Sequence, residues 1–243
     1  MSGIDLSTTP LPTDSVGLIE GISTTRAIRR YRDEPIPDEV LRAIMFAATR
    51  APSGSNRQTF RMLVLTDGPK AKQAKELIAR AARAGWGTKR ETDSYDTGSG
   101  AVDNSPKARM ARTMQEYVDN IDKVPVLVLP CLIRYREANS FEGASVYPAM
   151  QNMLLAARSL GYGGVVTGWH YGCEAELREL LAIPDEVFMA ATITMGKPVG
   201  GHGPVRRRPI SELIYEDEWG HSAPWAIDPP GTAFTSAGPP KKS

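Results

Sequence analysis

Ala51 to Arg61, APSGSNRQTFR, sets small, turn-forming and amide residues between a helical pattern and a strand pattern. Ser53, Gly54 and Ser55 leave backbone N–H groups accessible and tolerate unusual dihedrals, and Asn56 and Gln58 add short donors and acceptors. Pro52 forces Ala51 out of the helical region and opens the stretch. Such a loop could grip a polar, planar ligand. Two basic clusters suggest what else the ligand carries. Thr25 to Tyr31 reads TRAIRRY, with Arg26, Arg29 and Arg30 spaced by Ala27 and Ile28, and Arg206, Arg207 and Arg208 precede Pro209 near the far end. Guanidinium groups give forked, permanently charged recognition of phosphate.

The surrounding elements follow from periodicity. Asp38 to Arg50 places Val40, Leu41, Ile44, Met45, Ala47 and Ala48 on one helical face, and Phe60 to Thr66 reads as a buried strand that supports the loop. A helix is predicted from about Lys70 to Ala84. Gly85 to Asn104, with glycines, charges and no sustained period, reads as a long loop of lid type. A helix from about Pro106 to Ile121 precedes a buried strand over Val124 to Ile133. Another helix spans about Ala144 to Leu160 and closes on Gly161 as a left-handed cap. Gly163 to Gly168 is a short strand or strand-like loop, Glu174 to Leu181 a short helix stopped before Pro184, and Val187 to Met195 a strand of partly alternating pattern. Residues 1–16 read as an N-terminal arm, 17–220 as the main domain and 221–243 as an extended, Pro- and Gly-rich tail with Trp219 and Trp225 at its root. Helices outnumber strands without regular βαβ units, which favours an α+β layer fold.

Other chemistries find little support. His170, His202 and His221 have no metal-ligand spacing, and His170 in TGWHYG reads as a packed residue rather than a base. Gly196 and Lys197 are followed by Pro198, so no phosphate loop forms, and GSGAVD at Gly98 does not open a helix after a strand. Cys131 falls inside an apolar strand, while Cys173 reads as more exposed but lacks an activating partner.

The 243 residues can bury one large core, and a net charge of +1 argues against a nucleic-acid or anionic-membrane partner. With Cys131 and Cys173 as its only cysteines, no secretory signal pattern and no membrane-length apolar run, the chain is expected in the cytoplasm.

Taken together, TRAIRRY, APSGSNRQTFR, GYGGVVT at Gly161 to Thr167, LRELLAIP at Leu177 to Pro184 and RRRPISELIYEDEWG resemble, in the same order, the nitroreductase family of FMN-dependent NAD(P)H oxidoreductases. Finer details suggest its actinobacterial NfnB-like branch. The resemblance implies a three-layer α+β fold with a central, mainly antiparallel sheet, helices on both faces, and an intertwined homodimer holding FMN at the subunit interface. It implies that Arg26, Ala27, Arg29, Arg206 and Arg207 meet the FMN phosphate. Arg207 matches that position better than Arg206, and Arg30 could instead pair with Asp33 or Glu34. Pro52, Ser53, Gly54 and Ser55 would contact the isoalloxazine edge, with Asn56 and Gln58 near its pyrimidine side or supporting the loop. Gly163, Gly164, Val165, Val166 and Thr167 would lie against the flavin and offer an N–H towards N5. The activity implied is hydride transfer from NADPH, or NADH, through FMN to a nitroaromatic or quinone-like acceptor, with Arg90, Arg109 and Arg112 as candidate contacts for an NADPH phosphate. Reductive dehalogenation, flavin breakdown and non-catalytic flavin storage stand as alternatives.

Overall fold

The computed structural model describes residues 9–235. The chain runs α1 (Leu18–Thr24), α2 (Asp38–Thr49), β1 (Phe60–Leu65), α3 (Pro69–Thr92), α4 (Pro106–Asp119), β2 (Val126–Ile133), α5 (Tyr147–Ser159), β3 (Gly163–Thr167), α6 (Glu174–Leu181), β4 (Val187–Met189) and β5 (Thr192–Gly196). The strands form one antiparallel sheet in the order β1, β2, β5, β3, with β4 paired to the end of β2.

Alternation along β2 divides the core between the two faces of the sheet. Leu127, Leu129 and Cys131 pack with Ile78, Ala82 and Trp86 of α3, Val118 of α4 and Leu177 of α6. Val126, Val128 and Leu132 pack with Ile44 and Ala48 of α2 and Met150 and Met153 of α5. The result is the expected three layers. Lys75 of α3, itself buried, donates to the carbonyls of Thr66 at 2.5 Å, Val124 at 2.7 Å and Pro125 at 3.2 Å, and so ties the end of β1 to the approach to β2.

Pro130 explains one departure from expectation. The single strand predicted over Val187 to Met195 is two, because Cys131 pairs with Met189 and Val128 with Ile193, leaving Leu129 and Pro130 opposite Ala190, Ala191 and Thr192. One residue is unmatched, as in a bulge. The Pro130 carbonyl accepts from the Ala190 N–H at 2.8 Å, so the missing Pro130 N–H faces this same junction and no ladder bond is lost elsewhere.

A second correction concerns Gly85 to Asn104. Its first third is helix, because α3 continues to Thr92. Trp86 is 2% exposed, and its indole N–H donates to Gln115 at 3.0 Å. Burying roughly 200 Å2 of aromatic surface at about 25 cal/mol/Å2 gains about 5 kcal/mol, against about 1 kcal/mol for each helical glycine. Tertiary burial therefore overrides the propensity of Gly85 and Gly87. Gly85 also admits Trp169, whose ring would stand 3.0 Å from a Cβ at that position. Residues 93–104 are turns held by ion pairs from Lys89 to Asp93 and from Arg90 to Asp96, and by Tyr95 packed at a tilt against Trp86, with ring centroids 5.1 Å apart.

Cys173 is buried, against expectation, because it faces the same core as Leu177. Burial pushes both thiols up, each to about 11. The tail from 221 folds back on its own chain as far as it is described: Ala223 and Ala226 are buried, and Phe234 forms a parallel bridge to Arg207. Its outermost residues and the first half of the N-terminal arm lie outside the described residues. No helix among the described residues is long and apolar enough to cross a membrane.

Candidate functional site

Arg26, Ala27, Arg206 and Arg207, separated by most of the chain, line one surface pocket of about 660 Å3 together with Pro204, Val205 and Ala233. Arg26 lies on an extended strap that leaves the C-terminus of α1 rather than opening a helix, and the strap crosses β3, where the Ile28 N–H donates to the Gly164 carbonyl at 3.0 Å. Arg207 arrives on a returning segment that the tail fixes through the bridge to Phe234 and the Thr235 N–H on the Arg207 carbonyl at 3.0 Å. Among the described residues, no carboxylate forms an ion pair with Arg26, Arg206 or Arg207. Arg208 differs, since Glu212 one turn on takes its charge. Permanent positive charge without an acidic partner, beside an open cavity, is an anion-binding arrangement.

Arg29 does not line this pocket. It lines the neighbouring cleft of about 510 Å3, with Tyr31, Tyr117 and Lys123, and its Nε is buried without a hydrogen-bond partner. Arg30 pairs with Glu116 of α4 at 2.6 Å, not with Asp33 or Glu34 as expected, because the strap turns it outward towards that helix.

β3 lies beside the strap at the sheet edge. Val165 is buried on the core side, whereas Val166 is 42% exposed. Gly164 leaves no room for a side chain, as a Cβ there would stand 2.7 Å from the Thr194 carbonyl oxygen. Thr167 Oγ1 donates to the Thr192 carbonyl at 3.1 Å, holding the strand end.

The 52–58 loop lies at the opposite edge, between α2 and β1. Its backbone is unusual. Ser55, Asn56 and Gln58 have φ of 52°, 52° and 50°, in the left-handed region that costs a non-glycine residue about 1 kcal/mol or more. Local bonds support the strain: Ser53 Oγ accepts the Gln58 N–H at 2.9 Å, Gln58 Nε2 donates to the Asn56 carbonyl at 3.3 Å, and Arg61 donates to the Gln58 carbonyl at 2.8 Å. Gln58 is thus a support of the loop, while Pro52, Gly54, Ser55 and Asn56 stand exposed. Ser145 Oγ accepts the Gly54 N–H at 3.4 Å from across the sequence, a contact no local pattern announced.

His170 is fully buried, with Nε2 at 3.0 Å from the Met189 carbonyl and Nδ1 at 3.2 Å from Thr192 Oγ1, and burial lowers its pKa. It is a packed residue, as its context suggested. His202, whose pKa burial also lowers, lies 2.9 Å from the Tyr162 carbonyl through Nε2 and backs onto Gly163.

The profile of the Nitroreductase family matches residues 22–197, most of the chain and both β3 and the loop. The chain belongs to the nitroreductase family. Among relatives, a candidate NADH dehydrogenase/NAD(P)H nitroreductase of Archaeoglobus fulgidus is 30% identical over 179 residues, covering 73% of this chain and 83% of the relative. The FMN reductase [NAD(P)H] of Bacillus subtilis is 24% identical over 221 residues, covering 83% and 74%. A candidate nitroreductase of Desulfovibrio desulfuricans, solved in complex with FMN, superposes with a TM-score of 0.60 at 28% identity over 83% of this chain and 97% of that one. The nitroreductase fold thus accounts for the antiparallel sheet with helices on both faces.

Proposed function

We propose that this protein is an FMN-dependent NAD(P)H oxidoreductase that reduces nitroaromatic or quinone-like acceptors. The observation that carries the reading is the convergence of Arg26, Arg206 and Arg207, with no ion-pair partner among the described residues, on one pocket beside β3. That donor set fits a phosphate monoester. Arg29, which lines a separate cleft, is not part of that donor set. The relatives' names, FMN reductase in one case and an FMN complex in another, agree with the fit.

Arg26, Ala27, Arg206 and Arg207 would hold the phosphate, and Gly164, Val165, Val166 and Thr167 would lie along the ring, where Val166 leaves the surface open. Ser53, Gly54, Ser55 and Asn56 would meet the ring edge. Within one chain β1 and β3 are three strand spacings apart, about 14 Å at the usual interval. The loop would therefore come from a second copy, making the active unit a homodimer with composite sites. FMN held by these residues would supply two-electron chemistry between NADPH or NADH and the acceptor, with the ping-pong kinetics that this implies. The chain's own part is to fix the ring, exclude water and stack the acceptor against the open face.

The test is to purify the protein, denature it and chromatograph the released cofactor. FMN near one per subunit is expected, with NAD(P)H consumption on adding a nitroaromatic. Recovery of FAD, or no flavin after reconstitution, would overturn the reading.

A further inference from the structure

The strap that carries Arg26 and Arg29 is seated in the sheet by a steric fit that lies outside the phosphate pocket. Gly163 of β3 and Gly196 of β5 are direct cross-strand partners. A Cβ at Gly163 would stand 2.6 Å from Ile28 Cγ1, and one at Gly196 would stand 2.9 Å from the Tyr31 ring and 3.0 Å from its Cβ. Two facing glycines thus cut a notch across the sheet, and the side chains of Ile28 and Tyr31 fill it.

The Tyr31 hydroxyl then locks the strap at the bottom of the notch. It lies 2.5 Å from the Ile28 carbonyl oxygen and 2.9 Å from both the carbonyl oxygen and Oγ1 of Thr194. Tyr117 of α4 reaches the same Thr194 Oγ1 at 3.0 Å. One donor order compatible with these contacts runs from Tyr117 O–H to Thr194 Oγ1, from Thr194 O–H to Tyr31 Oη, and from Tyr31 O–H to the Ile28 carbonyl, the shortest of the Tyr31 contacts. Ile28 is therefore held through both its C=O and its N–H, the latter by the Gly164 carbonyl at 3.0 Å. Ala27 and Arg29 flank that residue directly. Their placement, and that of Arg26 one residue further, is set by a hydroxyl of a residue that does not line the phosphate pocket.

We infer that Tyr31, seated against Gly163 and Gly196 and fixed through Thr194, is a positioning residue for the phosphate-binding arginines. The inference rests on the FMN reading. Its consequence is selective: releasing the Ile28 carbonyl loosens the grip on the phosphate and leaves the ring contacts of β3 and the loop intact.

Tyr31→Phe keeps the ring in the notch and removes only the hydroxyl. FMN and riboflavin, which lacks the phosphate, are titrated into wild-type and variant apoprotein by fluorescence, with melting temperatures recorded alongside. Losing one net hydrogen bond of about 1 kcal/mol corresponds to roughly a fivefold to tenfold weaker FMN affinity, with riboflavin affinity unchanged. Thr194→Val, which cuts the same chain one link away, should act in the same direction and serves if the first variant does not fold. Unchanged FMN affinity in the folded variants would overturn the inference. So would a parallel loss of FMN and riboflavin, which marks a merely structural role. Failure of the wild-type protein to bind FMN would instead overturn the functional reading beneath it, so the two failures are distinct.

Discussion

Arg26 and Arg207 reach one pocket from opposite ends of the chain, and among the described residues neither forms an ion pair with an acidic side chain. Each is exposed, so removing the side chain leaves no cavity, and the one bond lost, from Arg207 to the exposed Arg206 carbonyl, is replaceable by water. Arg26→Ala and Arg207→Ala are each expected to weaken FMN binding by about tenfold to a hundredfold, the equivalent of a charge-assisted bond of about 1.5 to 3 kcal/mol. Equilibrium dialysis checks the affinity, and an unchanged melting temperature checks that the fold survives. Arg208→Ala provides the contrast, because its charge is already taken by Glu212, and a smaller effect is expected there. His170 yields a pH prediction. Its folded pKa lies below the ordinary 6.5 because burial disfavours the cation, and that of His202 is lowered for the same reason. As pH falls through the unfolded value, the unfolded chain takes up protons that the folded chain refuses. Stability should therefore decline between neutral pH and about pH 5, and melting temperatures across that range should show it. His170→Gln should flatten the dependence.

At the scale of elements, α3 is the organiser of one face of the sheet, and Trp86 is its deepest aromatic anchor. Trp86→Ala would open a cavity and leave Gln115 without its indole donor, and a loss of about 3 to 5 kcal/mol is expected from urea unfolding. A loss below about 1 kcal/mol would mean that the second half of α3 is dispensable. The same continuation of α3 fixes how access to the site can be tested: a deletion must be confined to residues 93–104, because one beginning at Gly85 would cut the helix and the core together. The strained loop after α2 is the other informative element. Left-handed backbone at Ser55, Asn56 and Gln58, held by Ser53 and Arg61, is a preorganised conformation.

At the scale of the whole molecule, the sheet order separates the loop from the strap, and exposed apolar groups lie on α1 and the tail. Leu18, Ile19 and Trp219 are 69%, 74% and 90% exposed. A homodimer that buries such surface and completes each site with the partner's loop accounts for both features. Light scattering at micromolar concentration should give a dimer. Removing residues 221–243 strips the Phe234 bridge from the Arg207 segment, so dimer stability or flavin retention should fall. A truncated protein that remains dimeric and retains FMN as tightly as the full chain would show that the tail serves neither purpose.

What the chain determined by itself is what local physics controls. Periodicity placed α2, β1 and α6 to within a residue or so, and α6 ends through the left-handed Ala182 just ahead of Pro184, as the proline foretold. The arginine clusters and the loop were legible from residue type, since permanent charge and turn chemistry do not depend on distant partners. Tertiary structure alone decided the rest. Burial of Trp86 turned an apparent loop into helix, the missing N–H of Pro130 is accommodated where one strand becomes two, and the core hid Cys173. The facing of Gly163 and Gly196 depends on strand register, which no local pattern of glycines encodes. Which arginines share a pocket was likewise settled only by the path of the strap and the return of the tail, because convergence across most of the chain is a property of packing rather than of spacing.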